Sequence, residues 1–518
     1  MMMKKVLLGN EAIARGAFEA GCRVVASYPG TPSTEITETI AKEYPEILSQ
    51  WSPNEKVALE VSAGASVAGA RAMSCMKHVG LNVAADPLFT FSYTGVNGGL
   101  VIVNADDPGA WSSQNEQDNR HYARAAKVPM VEPSDPQEAK DFTKLAFAIS
   151  ETYDRPVIVR TTTRIAHSQG IVELGEPEKI AVKEFVRDPK KYVMIPAHSR
   201  PRHIVVEDLM KKILADSEKL GLNRIEWGNK KRGIITGGVA YSYVKETCPD
   251  DSILKIGLTW PLDDKIIREF ASQVKELVIV EELDPFIEEH VKALGISCKG
   301  KEIIPACGEL SPDIVDLALN GKKHENSIPA YSGNIPGRPP GLCKGCPHAS
   351  VFSVLKKLDL NVNGDIGCYT LGVLPPYGAM HSQGCMGASV GMHLGFEKAH
   401  PDIARKSVAV IGDSTFIHSG ITGLIDMVYN KGTGTVMILD NRVTAMTGHQ
   451  ENPSTGVTLR GEPTYSLNIE ALCSACGVNR VVVVDPNDMA ELERIIKEET
   501  AALEPSVIIA RRKCILKK

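Results

Sequence analysis

The chain has 518 residues, 43% hydrophobic and 23% charged, enough to build real cores in about three domains of ordinary size. A net charge of −5 gives no electrostatic case for nucleic acid, and no apolar run approaches a membrane span. Twelve cysteines without a secretion signal point to a reducing cytoplasm, where clustered thiols mean metal or redox work rather than disulfides.

Val6-Leu7-Leu8 reads as a first strand, too short for the apolar core of a signal sequence. Val24-Val25-Ala26-Ser27 is a second, closing on the turn Tyr28-Pro29-Gly30-Thr31-Pro32. Glu55 to Met73, rich in Ala and Gly, reads as a tightly packed helix. Gly99 to Val103 and Pro156 to Arg160 are further short apolar runs. Strands alternating with helices predict an α/β, multi-domain fold of parallel sheets covered by helices. Residues 1–175 form its first domain. Residues 176–228 are dense in Lys, Glu and Pro and are expected to be a linker with one amphipathic helix near Glu207 to Leu220. A middle α/β domain, 229–330, opens on Arg232 to Gly238 and includes Leu277 to Glu282. The Pro/Gly-rich seam Ile335 to Gly341 leads into the last domain, 331–518.

The last domain holds the strongest chemical signal. Gly412-Asp413-Ser414 is followed by a helical run to about Asn430, then by a strand closing on Asp440-Asn441-Arg442-Val443. The Asp413 carboxylate, the Asn441 amide oxygen and the Val443 carbonyl are three hard oxygen donors at neighbouring strand ends, suited to Mg²⁺. A helix starting beside Asp413 favours a diphosphate at its N-terminus. This spacing resembles the thiamine-diphosphate motif, in which Mg²⁺ anchors the cofactor's diphosphate. Gly384-Cys385-Met386 precedes another helix; small residues there let backbone N–H groups approach phosphate. Met386 sits where thiamine enzymes place a bulky apolar residue under the bent cofactor.

In the first domain, Glu60-x3-Gly64-x4-Gly69 resembles the pyrimidine-side pattern of thiamine enzymes. In those enzymes a glutamate hydrogen-bonds a ring nitrogen of the aminopyrimidine and favours its imino form. Glu55, five residues earlier, is the competitor and ranks second. Cys343-x-x-Cys346 with Cys368 indicates a metal site, and Cys514 completes four thiolates; four sulfurs suit a [4Fe–4S] cluster or structural zinc. Cys473-x-x-Cys476, at helical spacing, is expected to be packing.

Taken together, Tyr28 to Glu35, Asn54 to Glu60, Met76 to Asn82, Cys343 to His348, Gly364 to Gly372, Leu439 to Asn441 and Met446 to Gln450 resemble the α subunits of indolepyruvate:ferredoxin oxidoreductases. These belong to the thiamine-diphosphate-dependent 2-oxoacid:ferredoxin oxidoreductases. The resemblance implies oxidative decarboxylation of aryl 2-oxoacids to acyl-CoA, with electrons passed to ferredoxin. It implies thiamine diphosphate, Mg²⁺ and a [4Fe–4S] cluster on Cys343, Cys346, Cys368 and Cys514. It also implies a substrate contact at Thr31 and a smaller β subunit, expected in an α2β2 assembly; His78 and His381 are candidates for proton handling near the substrate. Members usually continue into a ferredoxin-like domain. This chain ends four residues after Cys514 with no CxxCxxCxxxCP run. Electrons are therefore expected to leave through a segment that was cut away or through a separate ferredoxin-type protein. The competing readings are a non-oxidative thiamine-dependent decarboxylase and a non-catalytic diphosphate-binding scaffold.

Overall fold

The computed structural model describes residues 3–323, 333, 336, 337 and 340–517, so part of the Ile335 to Gly341 seam lies outside the described residues. The chain divides into two compact units, Met1–Tyr331 and Ser332–Lys518.

A seven-stranded sheet organises the first unit. Its order is Leu258–Trp260, Met130–Val131, Val157–Thr162, Leu100–Asp106, Ala72–Lys77, Val24–Ser27 and Leu48–Trp51. All pairings are parallel except the first, where Leu258–Trp260 runs antiparallel along the edge. The strands read as continuous apolar runs because both faces are covered, as a parallel sheet requires. Val101, Val103, Val157 and Val159 enter one core, while Leu100, Ile102 and Ile158 enter the other. Val6 to Leu8 is indeed a strand, Lys4–Leu8, but it pairs only with Gln169–Glu173 in a separate ribbon. The helix starting at Glu55 ends at Val67; Ala72 and Met73 already belong to a strand.

Residues 176–228 are not a bare linker. Pro196–Ala215 is a 20-residue helix, followed by the short Ser217–Leu220. Val206, Met210 and Ile213 are buried, and Met210, Ile213 and Leu222 join the first sheet's core. The amphipathic helix expected near Glu207 to Leu220 is thus present but begins at Pro196 and breaks after Ala215, and it packs on one narrow apolar stripe.

The middle region forms a four-stranded sheet in the order Glu276–Val280, Asn229–Gly237, Asp251–Ile256 and Arg224–Glu226. It is not separate from the first region. It supplies the edge strand Leu258–Trp260 to the larger sheet and shares a buried charge network with it. The Arg120 guanidinium donates to Asp118 Oδ1 (2.9 Å), to Glu281 Oε2 (2.5 Å) and to the carbonyl of Glu282 (2.9 Å). Arg160 donates to Asp106 (2.7 Å) and to Glu132.

The second unit is built on six parallel strands, ordered Ser382–Gln383, Asn361–Gly364, Ser407–Gly412, Thr435–Asp440, Ser506–Arg511 and Arg480–Val484. Alternate residues again feed two cores, with Val410 and Leu439 on one face and Ile411 and Ile438 on the other. Among the described residues, no helix is long and apolar enough to cross a membrane.

Candidate functional site

In open parallel sheets ligands gather outside the carboxyl ends of the strands. Three neighbouring strands of the second unit deliver polar side chains there. Asp365 follows Asn361–Gly364, Asp413 follows Ser407–Gly412, and Asn441 follows Thr435–Asp440, with Gly412 in register with Leu439. Asp413, Ser414, Asn441 and Val443 are all buried.

The Asp413 carboxyl is pushed up to about 7, by burial first and then by the nearby Asp440. A carboxylate so placed is expensive to ionise without a cation. Ser454 Oγ donates to Asp413 Oδ2 at 2.9 Å, and Thr444 Oγ1 donates to Ser414 Oγ at 2.9 Å, so the loop after Asn441 returns over the strand end. Asn441 Nδ2 faces His348 Nε2 at 3.2 Å, while its Oδ1 accepts from the Val443 N–H at 3.2 Å. Burial lowers His348 to about 4, so the ring is neutral and accepts this bond. The contact leaves the amide oxygen as the atom Asn441 could offer to a cation. Carboxylate, amide oxygen and a backbone carbonyl form an all-oxygen set that fits Mg²⁺.

Asp365 carries no signal as a site residue in the sequence. Its carboxylate accepts from the N–H groups of Ile366 (2.9 Å), Gly387 (2.9 Å) and Ser389 (3.0 Å). It thereby holds the turn Gly384-Cys385-Met386 at the start of the helix Ala388–Ala399. Gly387 has φ +87°, and an added Cβ would lie 2.6 Å from Ser419 Cβ. Ser419 belongs to a π-helical turn, Phe416–Gly420, in the helix that begins at Asp413. Such turns recur at functional sites. Cys385 is exposed; Gly384 and Met386 are half-buried.

The four expected thiols influence one another. Burial first, and then Cys346, Cys514 and Cys343, push Cys368 up to about 11. Cys346 caps the helix Pro347–Lys357, and its N–H donates to the Cys343 carbonyl at 2.9 Å. The Cys514 N–H donates to the Asn441 carbonyl at 3.0 Å, and Lys517 Nζ to Glu451 at 2.6 Å. These contacts bring the end of the chain to the strand end that carries Asn441. Cys346 and Cys368, each pushed up by burial and by the neighbouring thiols, sit beside the other two sulfurs in a set that fits an iron–sulfur cluster or zinc. Cys473 is buried in the core of the second unit, consistent with packing.

In the first unit the structure separates the two glutamates. Glu60 is half-exposed and ion-paired with Lys56 one turn earlier. Glu55 is 4% exposed, on the buried stripe with Leu59, Ser62 and Ser66. The reason is angular: five residues turn the side chain by about 140°, off that stripe. Asn54 caps the helix by accepting from the Val57 N–H at 2.9 Å, which fixes Glu55 in its first turn. An added Cβ on Gly80 would lie 2.7 Å from Glu55 Oε1, so the glycine makes room for the carboxylate. Asn54 as a helix cap is the sequence signal for Glu55.

His78 is fully buried; its Nε2 meets the Asn115 carbonyl (3.3 Å) and Oδ1 (3.2 Å), and burial lowers its pKa. His381 Nδ1 accepts from the Val362 N–H at 3.0 Å, a backbone role at the edge of the sheet. Thr31 is half-buried in the turn after Val24–Ser27. Asp118, His121 and Asp284 bring candidate ligand atoms within 4.8 Å of one another, but Asp118 is already committed to Arg120.

Comparison with known proteins agrees with this geometry. Residues 365–510 match the C-terminal TPP-binding domain of thiamine pyrophosphate enzymes. Residues 15–211 match the thiamine-diphosphate-binding domain of pyruvate flavodoxin/ferredoxin oxidoreductases. A 2-oxoglutarate:ferredoxin oxidoreductase from Magnetococcus marinus shares the fold, with a TM-score of 0.53 at 17% identity over 61% of this chain and 65% of that one. The fold and the strand-end site thus define a thiamine-diphosphate-dependent 2-oxoacid oxidoreductase. Indolepyruvate oxidoreductase subunit IorA of Archaeoglobus fulgidus is 43% identical over 99% of this chain and 87% of its own length. That of Pyrococcus horikoshii is 41% identical over 99% of this chain and 86% of its own. The chain belongs to this family of IorA subunits.

Proposed function

We propose that the chain is the thiamine-bearing subunit that oxidises aryl 2-oxoacids to acyl-CoA in the cytoplasm, with electrons passing to ferredoxin. Asp413, Asn441 and the Val443 carbonyl hold Mg²⁺, and the Gly384 to Gly387 turn faces the diphosphate. Thiamine diphosphate supplies the carbon that attacks the 2-oxo group and carries the electron pair left when CO₂ departs. Glu55, rather than Glu60, holds the pyrimidine nitrogen. Cys343, Cys346, Cys368 and Cys514 bind one [4Fe–4S] cluster. A smaller β subunit completes an α2β2 enzyme. The aryl preference rests on the substrate for which the IorA relatives are named.

The observation that carries the reading is the buried Asp413 carboxyl facing the Asn441 loop across adjoining parallel strands. Anaerobic purification with the partner subunit, followed by metal, sulfide and thiamine analysis, tests the cofactor set. Turnover is then compared on indolepyruvate, pyruvate and 2-oxoglutarate, following CoA-dependent ferredoxin reduction. CO₂ release without electron transfer would make the protein a plain decarboxylase. Asp413→Ala is expected to abolish Mg²⁺-dependent thiamine diphosphate binding in calorimetry; undiminished affinity would remove the metal assignment.

A further inference from the structure

The first unit repeats at its own sheet the arrangement seen in the second. Three neighbouring parallel strands end together: Val24–Ser27 runs into Gly30 and Thr31, Ala72–Lys77 ends on Lys77, and Leu100–Asp106 is followed by Asp107. Lys77 is the cation at this edge. Its stem lies against the backbone of the Gly30 turn, where an added Cβ on Gly30 would be 3.2 Å from Lys77 Cγ. Glycine at position 30 gives the lysine stem room to lie along this turn.

The Lys77 ammonium is half-buried and makes one hydrogen bond, to the Ser112 carbonyl at 3.0 Å. Among the described residues no carboxylate oxygen lies within 4.0 Å of it, so two of its three donors have no protein partner. Asp107 and Glu55 are the acidic groups near enough to act on it. The Asp107 carboxylate is already engaged. It accepts from the Ser112 N–H (2.9 Å), Ser113 Oγ (2.7 Å) and Thr163 Oγ1 (2.7 Å), contacts that shape the loop presenting the Ser112 carbonyl. A partly desolvated ammonium with open donors at the ligand edge of a parallel sheet calls for an anion.

We propose that Lys77 is the substrate-binding cation that receives the carboxylate of the 2-oxoacid, an inference that rests on the thiamine reading of the site. The charge count selects the ligand. Asp107 and Glu55 repel a phosphate dianion more strongly than a singly charged carboxylate, so of the two anions the open donors of Lys77 favour the carboxylate. The alternative is a purely structural lysine that tethers the Ser112 loop.

Calorimetry on the full chain with its partner subunit separates the two, using indole-3-propionate and 3-phenylpropionate against their primary amides. Wild type is expected to prefer the acids. Lys77→Gln is expected to lose about 10- to 100-fold in acid affinity, the range of a charge-assisted hydrogen bond, with amide binding unchanged. Lys77→Arg keeps acid affinity within about threefold, since it restores the charge. Equal losses for acid and amide in Lys77→Gln, or wild type binding both alike, overturn the proposal, and the second comparison needs no variant to fold. Tighter competition by inorganic phosphate than by the acids also overturns it, in favour of a phosphate site. Thiamine diphosphate affinity, measured in parallel, should be the same in all three proteins. Its absence in wild type, with the acid preference retained, would strike the thiamine reading and leave Lys77 as a carboxylate site.

Discussion

Glu55 and Glu60 stand on one helix, five residues apart, and meet different environments: one is buried beside Gly80, the other lies against solvent and Lys56. A carboxyl that shares a proton with a ring nitrogen must be shielded from water, and only Glu55 is. Glu55→Gln is therefore expected to retain thiamine diphosphate while turnover falls about a hundredfold or more. Glu60→Gln should change turnover less than about twofold, because it removes only a surface ion pair. Steady-state kinetics with parallel cofactor titration checks both, and a dead Glu60→Gln beside an active Glu55→Gln would reverse the assignment. At this scale the sequence is legible where a candidate residue lies beside a strand end. Asp413 and Asn441 are recognisable from spacing alone. Asp365 and Ser454 are not, because their roles depend on where a later turn and a returning loop come to rest. Small-residue spacing favours Glu60 over Glu55, whereas the Asn54 cap sets a buried stripe that holds Glu55 and leaves Glu60 at the surface.

Elements are legible in proportion to their apolar regularity. The strands ending at Ser27, Gly412 and Asp440 are readable as short apolar runs closed by turn residues. The helix expected near Glu207 to Leu220 starts earlier, at Pro196, because Val206, Met210 and Ile213 alone bury it and its first two turns carry no apolar signal among the charges. The contact between the two helices that flank the diphosphate edge shows what pattern cannot reveal. Gly387 starts one helix in a left-handed conformation, with no room for a Cβ beside Ser419 in the π turn of the other. Gly387→Ala would place a Cβ 2.6 Å from Ser419 Cβ and 2.8 Å from the Ser419 carbonyl carbon, so backbone must shift. Strain at positive φ and overpacking together should cost about 2–4 kcal/mol. The same shift pulls the Gly387 N–H from Asp365. Urea unfolding followed by far-UV dichroism should show the loss in the second unit, together with weaker Mg²⁺–thiamine diphosphate binding. Wild-type stability and affinity in this variant would mean that the turn is free to adjust.

Across the whole molecule, the boundary expected at residue 228 has no counterpart in packing, because the middle region completes the first sheet and shares its buried charges. Neither an edge strand of three residues, Leu258–Trp260, nor a network joining Arg120 to Glu281 carries a local sequence signal. One member of this region makes the joint pH-sensitive. Glu282 is buried, and burial pushes its carboxyl up to about 7, against the pull of the Leu310 N–H that donates to it at 3.0 Å and of Arg160. An unfolded glutamate titrates near 4.3. Between about pH 4.3 and 7 the folded chain therefore holds a proton that the unfolded chain has released. Its contribution is fully present below the lower value, declines as pH rises through that window, and is gone above about 7, where the buried group must ionise. Glu282→Gln keeps an acceptor for the Leu310 N–H and carries no charge at any pH. It should match wild type near pH 4 and exceed it at pH 8 by up to roughly 4 kcal/mol, since each tenfold change in proton affinity between the folded and unfolded chain is worth about 1.4 kcal/mol. All four tryptophans, at positions 51, 111, 227 and 260, lie in the first unit, so their fluorescence during urea unfolding reports that unit alone. A Glu282→Gln gain that is the same at pH 4 and pH 8 would show that packing, and not the ionisation of Glu282, sets the difference.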